Sequence, residues 1–282
     1  MIVLVTIKGL SLSRLRGYHQ TLEILGYILS VCIGLILGLM GGGGSILSIP
    51  ILVYLFHVDP VEAAAYSLFI VGTTSLFGAI PKYREHLVSM RTAYLFGIPS
   101  VFGTFLTRKF IVHNIPETLL QTEHLVITRR AILLGLFAVL MILASVNMVR
   151  GRKSEPDDDR VHTGWLIFQG LSIGTLTGLV GAGGGFLIIP TLVLLTGLQF
   201  KVAVGTSLFI IAANSYSGFA GDLFNMQMDW RLLLPVTALA ILGILVGGRL
   251  NKSIDGVILR KAFGWFTLVM GCFILIKESG VV

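Results

Sequence analysis

The chain has 282 residues, of which 55% are hydrophobic and only 12% charged, with a formal net charge of +7. Soluble domains carry about 25% charged residues, so half the usual charge is missing and an ordinary soluble domain is excluded. The Lys and Arg sit in short segments between uncharged windows, which fits loops that orient a membrane protein rather than a nucleic-acid surface.

Asp, Glu, Lys and Arg are absent from 24–58, 63–81, 92–107, 131–149, 161–200, 202–221, 232–248 and 262–276. Several of these windows reach the roughly 18 apolar residues that a membrane helix needs. The expected fold class is an all-α, polytopic membrane protein. Residues 1–23, with Lys8, Arg14 and Arg16 among apolar residues, read as a short cytoplasmic lead-in without a signal-peptide cleavage site. Cys32 and Cys272 lie in apolar windows and read as core side chains, not as a disulfide or metal pair.

The chain matches itself at an offset of 140. Gly34, Gly38, Leu39, Gly41, Gly43, Gly44, Leu47, Ile49 and Pro50 recur as Gly174, Gly178, Leu179, Gly181, Gly183, Gly184, Leu187, Ile189 and Pro190. Ala63, Ser67 to Ile70, Ser75 and Gly78 recur as Ala203, Ser207 to Ile210, Ser215 and Gly218. A long fixed period is the mark of an internal repeat. It divides the chain into a first transmembrane repeat at 24–150, a polar linker at 151–163 and a second repeat at 164–282. The register later shifts, so the first half carries an insertion near 110–128. Its His113, Glu117, Glu123 and His124 fit no zinc spacing and read as an interfacial loop.

Each half opens on a glycine run inside an apolar segment, Gly41-Gly42-Gly43-Gly44-Ser45 and Gly181-Ala182-Gly183-Gly184-Gly185. Glycine costs about 1 kcal/mol against alanine in a helix, so both runs predict a break. Broken backbone at membrane depth survives only inside protein or beside a wet cavity. Paired breaks in two repeats point to a transporter's binding site. A helix restarting after the glycines offers unpaired N–H groups and the positive end of its dipole, which suits an anion. The wider-spaced pairs, Gly34 with Gly38, Gly174 with Gly178 and Gly243 with Gly247, read as helix packing.

Polar residues in the following span complete the candidate site. Ser67, Thr74 and Ser75 share a helical face and have Ser207, Asn214 and Ser215 as counterparts. Their competing role is hydrogen bonding between helices. No cofactor or metal is expected, and catalysis is not, because no His, Asp or Glu lies deep enough in a span.

The doubled Gly-x-Gly-Gly pattern, with Ser45 or Gly185 next and Pro50 or Pro190 closing it, is followed by Ser-Leu-Phe at 67–69 and 207–209. It resembles the TauE/SafE family of sulfite exporters across about 24–277. The resemblance implies an inner-membrane permease, by preference an exporter, for small anions such as sulfite, sulfoacetate or other sulfonates. Ser45 against Gly185 and Thr74 against Asn214 make the implied pocket only pseudosymmetric. The expected partners are the small anion and the lipid bilayer, with a homodimer allowed and no nucleic acid. A passive anion channel, or a transporter of another solute, is the alternative. Counting each broken segment as one crossing gives about four helices per repeat, eight spans and both repeats in one orientation. Counting each glycine run as a full turn gives ten spans and inverted repeats.

Overall fold

The computed structural model describes residues 12–114, 118–122, 125–150, 163–180, 184–223, 226 and 228–278. The polar linker and the Glu117, Glu123 and His124 positions lie outside the described residues. In chain order the helices are α1 (Leu12–Met40), α2 (Gly43–Tyr54), α3 (Pro60–Arg84), α4 (Met90–Leu106) and α5 (Arg129–Arg150). They continue as α6 (Thr163–Val180), α7 (Gly185–Leu195), α8 (Phe200–Leu223), α9 (Trp230–Ser253) and α10 (Gly256–Glu278). Helix α4 runs on through a π-helical turn, Thr107–Ile111, and a short 3-10 turn. The insertion near 110–128, read from sequence as a loop, contains an antiparallel hairpin of β1 (Thr118–Thr122) and β2 (Leu125–Thr128). The fold is therefore nearly but not wholly helical.

Local chemistry sets several helix starts. Asp59 caps α3 by accepting the Val61 N–H at 2.9 Å, with Pro60 preorganised in the first turn. Asp229 caps α9 by accepting the Arg231 N–H at 3.0 Å.

Among the described residues six helices, α1 from Glu23 onward, α3, α6, α8, α9 and α10, are long and apolar enough to cross a membrane. Helices α2 and α7, of 12 and 11 residues, fall well short of the roughly 30 Å hydrocarbon core at about 1.5 Å per residue. Ile98, Phe102, Leu143, Leu242 and Val269 face outward, while Ser67, Thr74, Ser75, Ser100, Thr104 and Asn214 are fully buried. Apolar outside and hydroxyl-bearing inside is the arrangement that lipid selects.

Close contacts at glycines give the helix directions. Gly34 lies against Ala240 and Gly38 against Ile244 to Gly248, so α1 and α9 run parallel. Gly170, Gly174 and Gly178 lie against Phe96, Ser100 and Thr104, so α6 and α4 also run parallel. A β-carbon on Gly34 would stand 1.7 Å from the Ala240 carbonyl oxygen, and one on Gly174 would stand 2.1 Å from that of Ser100. These glycines let backbones touch. At the centre α3 and α8 cross antiparallel, with Gly78 on Leu208 and Gly218 on Leu68. Helices α5 and α10 are antiparallel too, with Gly271 on Ala138 and Gly264 on Met148.

The first glycine run is a turn, and Gly184 at the end of the second has a left-handed backbone. A β-carbon on Gly44 would meet the Ile33 carbonyl oxygen at 2.1 Å, and the Phe56 ring packs on Tyr27 with centroids 5.3 Å apart. Helix α2 therefore folds back along α1. In the second half Gly178 packs on Thr104 and Thr107 at the end of α4, yet Gly205 of α8 packs on Leu87, just before α4 begins. The chain between them must return the length of α4. These contacts favour the alternative of a full turn at the glycine run over a single crossing.

Candidate functional site

At the first turn Gly41 has φ +72°, where a β-carbon is penalised, and its carbonyl accepts a hydrogen bond from Ser207 Oγ at 3.2 Å. Gly42 precedes α2, and a β-carbon there would stand 2.3 Å from the Gly185 carbonyl oxygen. One on Gly185 would stand 2.6 Å from Gly42 Cα. The amino ends of α2 and α7 thus abut. Gly184, at φ +75°, turns against Thr177, and Gly44 against the backbone of α1. Gly43 is different: a β-carbon there would meet side chains only, Ile36 at 2.7 Å and Phe263 at 3.4 Å. Gly181 and Gly183 lie outside the described residues.

Three of the candidate hydroxyls already have structural partners. Ser45 Oγ donates to the Gly42 carbonyl at 2.6 Å and closes its own turn. Ser67 Oγ bonds Ser48 Oγ at 2.5 Å, tying α3 to α2. Ser207 Oγ lies 2.8 Å from the Val204 carbonyl as well as reaching Gly41.

The other four behave differently. Thr74 Oγ1, Ser75 Oγ, Ser215 Oγ and Asn214 Oδ1 are buried and have no hydrogen-bond partner. The Asn214 amide nitrogen donates to Ser100 Oγ at 2.7 Å. They sit on the middle turns of α3 and α8, where Gly72 lies against Ser215. Each unsatisfied buried group costs about 1–3 kcal/mol. Four on adjoining turns form a polar patch with unspent hydrogen-bonding capacity.

Sequence reasoning missed the charged groups at the ends of this helix pair. Asp222 is 1% exposed and pairs with Arg108, also 1% exposed, at 2.8 Å. Lys82, likewise buried, donates from Nζ to Asn251 Oδ1 at 2.5 Å, and Asn251 Nδ2 donates to the Leu39 carbonyl at 2.6 Å. That carbonyl lies just before the first glycine turn. The available signal was that Lys82 and Asp222 are themselves 140 apart, with opposite charge at the edge of matching windows. Beside Lys82 is a cavity of about 220 Å³. Among the described residues no group of three or more His, Cys, Asp or Glu could hold a metal.

An apolar exterior, a polar interior and several spanning helices define a multi-pass helical membrane protein. The model of the Sulfite exporter TauE/SafE family matches residues 27–274, and the chain belongs to that family, one of membrane transporters rather than enzymes. It is 27% identical over 244 residues to the "Probable membrane transporter protein YdhB" of Bacillus subtilis, covering 86% of this chain and 96% of that one. It is 27% identical over 253 residues to a "Probable membrane transporter protein" of Xylella fastidiosa, covering 86% and 91%. A Methanocaldococcus jannaschii protein of the same description is 26% identical over 272 residues, covering 88% and 95%. No solved structure matches the chain.

Proposed function

We propose that the protein is a secondary transporter in the inner membrane that exports a small organic or sulfur-containing anion, such as sulfite, sulfoacetate or a sulfonate. The observation that carries the reading is the set of three unpartnered buried hydroxyls on Thr74, Ser75 and Ser215, beside Asn214. Hydroxyl groups of this kind donate to an anion without a fixed countercharge, so the ligand can leave again. The abutting amino ends of α2 and α7 add dipole potential of the right sign. Gly41 to Gly44, Ser45, Ser67, Ser207, Gly184 and Gly185 shape this site from behind.

In this reading all ten segments lie in the membrane as two inverted sets of five, with α2 and α7 as returning half-length helices. In this arrangement the loops at Lys82–Arg91, Lys201 and Arg249–Lys261 share one face with the end of α5 at Arg150, and the segments assigned to that face carry the larger share of Lys and Arg. That face is assigned to the cytoplasm, which puts the start of α1 on the other side and departs from the cytoplasmic lead-in expected from sequence. Cysteines at His86 and Gln199, in a chain without Cys32 and Cys272, should then share one accessibility to an impermeant thiol reagent. Opposite accessibility would restore the single-crossing count.

The functional test is flux. Purified protein in lipid vesicles is supplied with sulfite, short sulfonates, carboxylates, sulfate and neutral analogues. Flux of at least one small anion above all neutral analogues is expected. A protein that moves a neutral or cationic solute better than any anion would sink the proposal.

A further inference from the structure

The two ends of the α3–α8 pair occupy counterpart positions but are built from different groups. Gly38 packs at Ile244 to Gly248 on α9, and its counterpart Gly178 packs at Thr104 and Thr107 after the same interval. By that register Lys82 corresponds to Asp222, and Gly248 to Arg108. At one end the Arg108 side chain fills the space beside the helix pair and neutralises Asp222. At the other end there is no side chain to do so. A β-carbon on Gly248 would meet nothing within 4 Å, and Gly248 lines the 220 Å³ cavity together with Lys82.

The charge at this end is only partly compensated by protein, because the carboxylate in the cavity lining, Glu85, is shared between two lysines. The acid nearest to Lys82 is Glu85, 4.0 Å away, and Glu85 already holds Lys252 at 2.7 Å. Arg249 adds a second cation to the cavity lining. Phe77, Pro81, Leu208 and Ile244 supply apolar wall. At about 30 Å³ of liquid volume per water, the space holds several waters' worth of ligand.

We propose that this cavity binds a small organic anion, its acid group on Lys82 and its short alkyl part against the apolar wall. The ligand supplies the countercharge that a protein side chain supplies at the opposite end. The inference rests on the anion-transport reading and makes the cavity its loading site on the cytoplasmic face. Because Lys82 holds Asn251, and Asn251 holds the Leu39 carbonyl, an anion that draws Lys82 away loosens the strut before the first glycine turn.

The probe is ethanesulfonate, titrated calorimetrically into the purified full-length protein, with thermal melts of every variant. Gly248→Leu fills the cavity from a position with free space, and leucine is the better helix former. It should lower affinity about tenfold or more with no fall in melting temperature. Lys82→Met should lower affinity by about tenfold or more through loss of a charge-assisted bond. Unchanged affinity in well-folded Gly248→Leu, or no binding by the wild type, overturns the inference. If the wild type moves sulfonates in vesicles yet Gly248→Leu binds them normally, the cavity inference alone falls. If Gly248→Leu abolishes binding but no anion moves in vesicles, the transport reading alone falls.

Discussion

The two ends of the crossed helices α3 and α8 present the same backbone framework with opposite treatments of charge. At the Asp222 end, carboxylate and guanidinium are both buried at 1% exposure and satisfy each other at 2.8 Å. At the Lys82 end the ammonium is buried against a neutral amide and an open cavity. A charge removed from water needs a partner, and the partner can be built in or left to a ligand. The first choice makes a closed end. The second makes an end that responds to what enters it.

The comparison breaks most visibly if the built-in partner is removed. Asp222→Ala strands the Arg108 charge and should cost about 3–5 kcal/mol, read as lost monodisperse protein and a lower melting temperature in detergent. Replacing both residues by leucine should recover much of that loss. Lys82→Met should cost far less, about 1 kcal/mol, because Asn251 keeps its bond to the Leu39 carbonyl. Equal losses at the two ends would mean that they are not built differently.

A smaller effect separates glycines that pack backbone from glycines that do not. Gly34→Ala and Gly174→Ala drive a methyl into a facing carbonyl and should destabilise by about 1–3 kcal/mol. Gly135→Ala meets nothing within 4 Å and should be neutral or stabilise by up to about 1 kcal/mol. Melting temperatures of the three variants decide it. A destabilised Gly135→Ala would show that the helix positions, not the contacts, set the cost.

Much of this was legible in the sequence. Uncharged windows gave the helical membrane class, and Gly34 and Gly174, 140 apart, each pack on a facing backbone, that of Ala240 and of Ser100. The breaks at Gly41 and Gly184 were readable because glycine tolerates the left-handed backbone found there. The direction after each break was not readable, since α2 has the same composition whether it continues α1 or returns beside it. Nor could spacing separate Ser67, which bonds Ser48 on another helix, from Ser75 one face-repeat later, which bonds nothing. Partners from distant sequence decide that difference. The Arg108–Asp222 pair was hidden for the same reason, each residue standing just outside an apolar window.

The central claim is that the unpartnered hydroxyls between α3 and α8 are kept for an anion. The direct measurement is anion affinity of the Ser75→Ala, Ser215→Ala double variant, with its melting temperature taken alongside. Removing unsatisfied buried hydroxyls should leave stability unchanged or slightly raised. Affinity for the transported anion should fall about tenfold or more, the loss of two hydrogen bonds to a charged group. Wild-type affinity in a stably folded double variant would contradict the account.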